Sequence, residues 1–155
     1  MGRISRSWQL VKASWARTYD PVIGIEARKA KSDLKHVPQL FLSEIRNKDA
    51  ACMIAELDGE IIGHVGGQLR GDRVFFVDHL HVAPVYHGKG VASGLMKGFA
   101  EKVRQIADCI ELTVLSNNHR AFRFYEKLGF VEATGSNEDA GLGGVPSVLM
   151  RWSLK

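Results

Sequence analysis

The stretch His87-Gly88-Lys89-Gly90-Val91-Ala92 carries the residue types of an anion site. Its glycines let an anion approach backbone N–H groups, and Lys89 adds a full positive charge beside them. A helix starting at Val91 would leave its first N–H groups without intrahelical acceptors and turn its positive dipole end toward the same turn. Such a turn suits phosphate. The spacing also fits a plain strand-to-helix turn whose glycines serve backbone geometry alone. It matches neither G-x-x-x-x-G-K-[ST] nor G-x-G-x-x-G after a first βα unit. A second reactive group lies just upstream, in Asp78, His79 and His81. A carboxylate, or an imidazole titrating near neutrality, can accept a proton there. Strand alternation puts His79 and His81 on one face and Asp78, Leu80 and Val82 on the other, unless a bulge intervenes. His79 and His81 also have the spacing of a metal-ligand pair, but no nearby cysteine or spaced carboxylate completes the set, so no metal is expected.

These groups need a strand before the turn and a helix after it. Val74-Phe75-Phe76-Val77 is aromatic and β-branched, as a buried strand is, and Pro84 removes a backbone donor where that strand stops. Beyond Gly90, Leu95, Phe99 and Val103 recur every fourth residue with Met96, Ala100 and Ile106 beside them, which predicts an amphipathic helix over Val91–Ala107. Upstream, Trp8, Val11 and Trp15 stand at helical spacing behind a serine cap at Ser7, and Pro21 ends that segment. Asp33 to Arg46 holds a second helix. Ala51–Leu57 and Ile61–Leu69 read as strands joined by an Asp58-Gly59 hairpin, and Gly71-Asp72 turns into the strand Val74–Val82. The strand Ile110–Leu115 follows. Asn117-Asn118 then cap a helix that Gly129 terminates. Phe130–Ala133 and Val148–Trp152 read as the last strands, with Thr134–Pro146 between them as a polar, glycine-rich loop carrying Glu138 and Asp139. Two helices, a three-strand meander and a βαβαββ run predict an α/β (α+β) domain over residues 1–155, a mixed sheet with helices on its faces.

The glycine turn resembles the acetyl-CoA loop of the GNAT superfamily of N-acetyltransferases. There, Gln or Arg, two residues, Gly, one residue, and Gly or Ala follow a strand ending in a Val-x-Pro-like segment. Here His87 to Ala92 follows Val82-Ala83-Pro84, with His87 in place of Gln or Arg. Asn118-His119-Arg120-Ala121-Phe122-Arg123-Phe124-Tyr125-Glu126-Lys127-Leu128-Gly129-Phe130 is similar to the same superfamily's Asn-x-x-Ala-x-x-(aromatic or Leu)-Tyr-x-x-x-Gly-Phe segment. The resemblance implies a GNAT-like fold, a central twisted mixed β-sheet flanked by helices. Its first strand is short or missing here, since only Gly2–Ser5 precedes the first helix. It implies acetyl-CoA as cosubstrate, with the amides of Gly88, Lys89, Gly90, Val91, Ala92 and Ser93 at the phosphates beside His87. Strand backbone from Leu80, His81 and Val82 would hold pantetheine, with Asn118 and Ala121 along the same arm. Tyr125 would stand near the thioester sulfur, where a phenol can protonate the departing thiolate. From the helix alone, Tyr125 reads first as a core tyrosine capped by a backbone partner. Asn118 and Tyr125 lie two turns apart, so their side chains can share a side.

Amide formation needs a neutral amine. Freeing a lysine-like amine of pKa about 10.4 near pH 7 costs roughly 4.6 kcal/mol, and an α-amine near pKa 8 costs about 1.4 kcal/mol. An acidic strand residue is often the base in this superfamily, which puts Asp78 first and His79 second. By the same resemblance Trp15 and Tyr19 fall in the helical region covering the acceptor side, while Glu138 and Asp139 are read as attracting a protonated amine. The expected activity is acetyl transfer to a primary amine of a small molecule or peptide by direct attack on the thioester. The alternative is a catalytically idle acetyl-CoA sensor or interaction module.

Composition narrows the partners less. The net charge of +4 is spread along the chain and suits a polyanionic small ligand as well as nucleic acid. No aromatic-and-basic strand pattern or helix-turn-helix spacing supports nucleic acid, so none is expected. No apolar run of signal or membrane-spanning length appears, and Cys52 and Cys109 both lie in apolar stretches. A cytoplasmic protein with reduced, buried thiols is expected. The oligomeric state stays open, with a homodimer as one alternative because dimers are common among relatives of this type.

Overall fold

The computed structural model describes residues 46–139 and 146–155 as continuous segments, with the backbone alone over 134–139. Gln9, Ala13, Ala16, Arg17, Asp20, Ile25, Glu26 and Lys29 are also described, all in helical conformation. In chain order the elements are β1 (Ala50–Leu57), β2 (Glu60–Arg70), β3 (Val74–Val82), a 3-10 turn (Pro84–Tyr86), α1 (Val91–Val103), β4 (Cys109–Leu115), α2 (His119–Leu128), β5 (Val131–Asp139) and β6 (Pro146–Ser153). Among the described residues, six strands form one sheet in the order β1-β2-β3-β4-β6-β5. β3 pairs parallel with β4, while β6 runs antiparallel to both β4 and β5, so the sheet is mixed as expected.

By backbone proximity the chain divides into two compact units, Met1–Gly67 with His79–Phe99, and Gln68–Asp78 with Ala100–Lys155. In the first unit, the hairpin between β1 and β2 turns on Asp58 (φ 50°) and Gly59 (φ 78°), the left-handed pair that a two-residue turn requires. Glycines then let layers approach closely. A Cβ on Gly63 of β2 would lie 2.8 Å from Leu95 Cδ1 and 3.2 Å from Val91 Cγ1 of α1. One on Gly98 of α1 would lie 3.0 Å from Met53 Sδ of β1. Ile62, Val65, Val82, Leu95, Met96 and Phe99 are buried in this unit.

The second unit is built on β4 and β6, paired from Cys109↔Ser153 to Leu115↔Ser147. Across the matched pair Glu111↔Arg151, the guanidinium donates from Nε (2.7 Å) and Nη2 (2.5 Å) to one carboxylate oxygen. The end of the chain is tied down at Asp108. Its carboxylate accepts from Arg73 Nε (3.1 Å) and pairs with Lys155 Nζ (3.0 Å), while its carbonyl accepts from Leu154 N (2.9 Å). Phe75, Phe76, Val77, Val103, Ile110, Leu112, Val114, Phe130 and Met150 supply its buried apolar groups.

Several expectations change. α1 stops at Val103, whose carbonyl accepts from both Ile106 and Ala107 N (2.9 Å each), so Ile106 turns outward and is exposed. Both cysteines are free thiols, but Cys52 is exposed on β1 at one end of the strand order, and Cys109 is half-buried. The expected loop from Thr134 is strand up to Asp139, and β6 begins at Pro146. Main-chain pairing there does not depend on apolar side chains. A register shift takes up the irregularity, five residues of β5 advancing from Glu132 to Asn137 while β6 advances two, from Met150 to Val148. Among the described residues no helix is long and apolar enough to cross a membrane.

Candidate functional site

The turn after β3 is assembled from short-range bonds. Ala83 N donates to Ile62 O of β2 (2.8 Å), which fixes where β3 ends. Tyr86 N donates to Ala83 O (2.9 Å), His87 N to Pro84 O (3.0 Å) and Lys89 N to Tyr86 O (3.3 Å). Gly88 (φ 75°) and Gly90 (φ 82°) are both left-handed, with Lys89 between them. That conformation costs an L-residue about 1–2 kcal/mol, so glycine is favoured at both positions. Among the described residues other than its chain neighbours, a Cβ on either glycine would meet no atom within 4 Å, so the backbone conformation rather than crowding favours glycine here. Gly94 N bonds Gly90 O (2.9 Å) to start α1, which leaves the N–H groups of Val91, Ala92 and Ser93 without intrahelical acceptors. Two left-handed glycines followed by a helix start can present backbone donors to phosphate oxygens. Lys89 is exposed beside it, its Nζ 5.3 Å from the Tyr86 ring centroid. The His87 ring folds back, with Nε2 2.9 Å from Val82 O. A carbonyl only accepts, so the ring donates from Nε2.

On the strands behind this turn, three imidazoles form a row. His79 stacks on His64 of β2 at 4.7 Å between centroids and 20° between planes. His81 follows His79 at 5.9 Å and 8°. Gly66 makes the row possible, because a Cβ there would lie 2.6 Å from His79 Nε2. Gly63 faces α1 and Gly66 faces His79, so by strand alternation the row occupies the sheet face opposite α1. His64 is fully buried, and burial pushes its pKa down to about 4, leaving a neutral ring beside His79. Rings stacked this way do not converge on one point, and no group of three or more His, Cys, Asp or Glu residues able to hold a metal occurs among the described residues. Neither His64 nor Gly66 was singled out by sequence. The available signal was a histidine inside the apolar, glycine-punctuated run Ile62-Gly63-His64-Val65-Gly66.

Asp78 has different surroundings. It is exposed and pairs at 3.9 Å with Arg70 Nη2, whose guanidinium lies 3.5 Å over the Phe76 ring. In the second unit, Asn118 Oδ1 accepts from Ala121 N (3.1 Å) and so caps α2 as expected. That oxygen is engaged, and the amide NH2 is the group left for a ligand. Gly129 closes α2 with φ 102°, and Phe130 N returns to Tyr125 O (3.0 Å). The Tyr125 ring is half-buried and held edge-on between Phe124 (5.0 Å) and Phe130 (5.3 Å). Trp15 and Tyr19 lie outside the described residues. Glu138 and Asp139 lie on β5 opposite Ser147 and Pro146, not in a loop.

A mixed sheet whose third strand runs into a turn of left-handed glycines and then a helix places the chain among α/β proteins with a donor-rich turn at a helix start. The family model described as the acetyltransferase (GNAT) family matches residues 10–130, and the chain belongs to that family. It is 32% identical over 112 residues to an acetyltransferase of Pectobacterium atrosepticum, covering 72% of this chain and 67% of that one. Among solved structures, the PaiA N-acetyltransferase of Thermoplasma acidophilum, in complex with coenzyme A, superposes with a TM-score of 0.83. It is 20% identical, over 97% of this chain and 92% of that one. An aminoglycoside 6'-N-acetyltransferase complexed with coenzyme A superposes at 0.70, with 16% identity over 100% and 95% of the two chains. The protein is an acetyl-CoA-dependent N-acetyltransferase.

Proposed function

We propose that residues 1–155 act as one cytoplasmic acetyltransferase domain that acetylates the primary amine of a cationic small molecule or peptide. The amine nitrogen attacks the thioester carbonyl carbon directly, the C–S bond breaks, and coenzyme A leaves as a thiolate. Tyr125 gives its phenolic proton to that sulfur, and a base takes the proton from the attacking nitrogen. The observation that carries the reading is the paired left-handed glycines, Gly88 and Gly90, opening onto the free N–H groups of α1. The diphosphate binds there, with Leu80, His81 and the strand end lying along pantetheine.

For the base, His79 is favoured over Asp78. His79 is half-buried in a row whose neighbour His64 stays neutral, so a proton arriving there meets no fixed charge on His64. Asp78 is exposed and its carboxylate is already engaged by Arg70 at 3.9 Å. The test is calorimetry with acetyl-CoA on wild type and Gly90→Glu, then thiol release across polyamines, amino acids, aminoglycosides and peptide N-termini. Binding that survives Gly90→Glu overturns the phosphate assignment. Binding without thiol release from any amine overturns catalysis in favour of a sensor.

A further inference from the structure

We propose that His87 is a positioning residue for acetyl-CoA, holding the diphosphate turn in its binding shape through the carbonyl of Val82. The inference rests on the reading that this turn receives the diphosphate. Among the described residues, the backbone bonds made within 83–89 are local, joining residues three apart. They shape the 3-10 turn but do not tie its far side to the sheet. The Ala83 N bond to Ile62 O anchors only the near side. The His87 ring supplies the return tie, spanning from the residue before Gly88 to the last residue of β3. Gly88 and Gly90 carry more backbone freedom than any other residue type, so the turn they form loses the most entropy when a ligand orders it. A ring anchored just upstream removes part of that cost before the ligand arrives, which is preorganisation. The family pattern's Gln or Arg at this position can also donate to a carbonyl, so His87 retains a donor where the turn needs one. With Val82 O taken by the ring and Ala83 N by Ile62 O, the strand end offers pantetheine fewer backbone groups than its sequence indicates.

The experiment measures the Kd of acetyl-CoA by calorimetry, together with KM and kcat, for wild type, His87→Ala, His87→Phe, His87→Gln and Gly90→Glu. His87→Ala is expected to raise Kd and KM about tenfold, with kcat at saturation near wild type, because only the ordering of the turn is lost. His87→Phe keeps the ring without the donor and behaves like His87→Ala. His87→Gln, whose amide N–H reaches the same carbonyl, recovers to within about threefold of wild type. The 15N spectrum of the unliganded protein, recorded with the imidazole neutral, shows His87 protonated on Nε2. Wild-type affinity in His87→Ala or His87→Phe, failure of the Gln rescue, or an Nδ1–H tautomer overturns the proposal. Gly90→Glu separates it from its foundation. If that variant binds as wild type does, the diphosphate assignment fails whatever His87 does. If it loses binding while His87→Ala does not, only the positioning role fails.

Discussion

Tyr125 is held by what surrounds it, which makes its hydroxyl testable apart from its ring. Phe124 and Phe130 grip the ring edge-on, so Tyr125→Phe keeps the packing and removes only the donor. If that hydroxyl protonates the thiolate, turnover falls about 10²–10⁴-fold while acetyl-CoA affinity is unchanged. Single-turnover kinetics check this, and an unchanged chemical step returns Tyr125 to a packing role. At His64 the test is thermodynamic. Its ordinary pKa of 6.5 falls to about 4 in the fold, so the unfolded chain takes up a proton before the folded one does. Stability is therefore present in full above the unfolded value and drains away as pH falls from there through the folded one. The total is about 3 kcal/mol. Urea denaturation across that window shows a shallower pH slope in His64→Phe than in wild type, and equal slopes would remove His64 as the source. Local chemistry made much of this scale legible, since Asn118 caps, Gly129 takes φ 102° and Gly88 and Gly90 turn left-handed as their types foretell. The imidazole row was not legible, because it joins residues on two strands and no spacing along the chain encodes that juxtaposition.

Elements were readable where one face is buried and the pattern repeats. β1, β2 and β3 fall within a residue of the boundaries expected from alternation and turn chemistry. β5 was misread because Thr134 to Asp139 carries polar residues and a glycine, yet its backbone pairs with β6. The close approach of β2 to its neighbours was also hidden, since it depends on which glycine faces which layer. Gly66→Ala tests that packing. A methyl group 2.6 Å from His79 Nε2 must displace the ring or the strand, at a cost of about 1–3 kcal/mol. With His79 as base, kcat falls while KM for acetyl-CoA stays near wild type, because the turn on the far end of β3 is untouched. Thermal melts with steady-state kinetics at several amine concentrations report both effects. A lowered melting temperature with unaltered kcat would leave His79 as a packing residue.

At the level of the whole molecule the two substrates make opposite demands on charge. A chain with net charge +4 attracts polyanionic acetyl-CoA and repels a protonated amine, so a cationic acceptor needs local carboxylates. Asp78 is already engaged by Arg70, Glu111 by Arg151, and Asp108 by Arg73 and Lys155. On the reading proposed above, the adjacent Glu138 and Asp139 near the end of β5 would attract the acceptor. Replacing them together by Gln and Asn is expected to raise KM several-fold for a polyamine or aminoglycoside while sparing KM for acetyl-CoA. The difference is expected to shrink as salt is added, because charge attraction through solvent is screened beyond about 8–10 Å at ordinary ionic strength. A neutral-bodied amine of similar size should show almost no change, and that comparison decides the matter. Equal losses for both amines would mean the substitutions disturb the pairing of β5 with β6, and no loss for either would remove the pair from acceptor recognition.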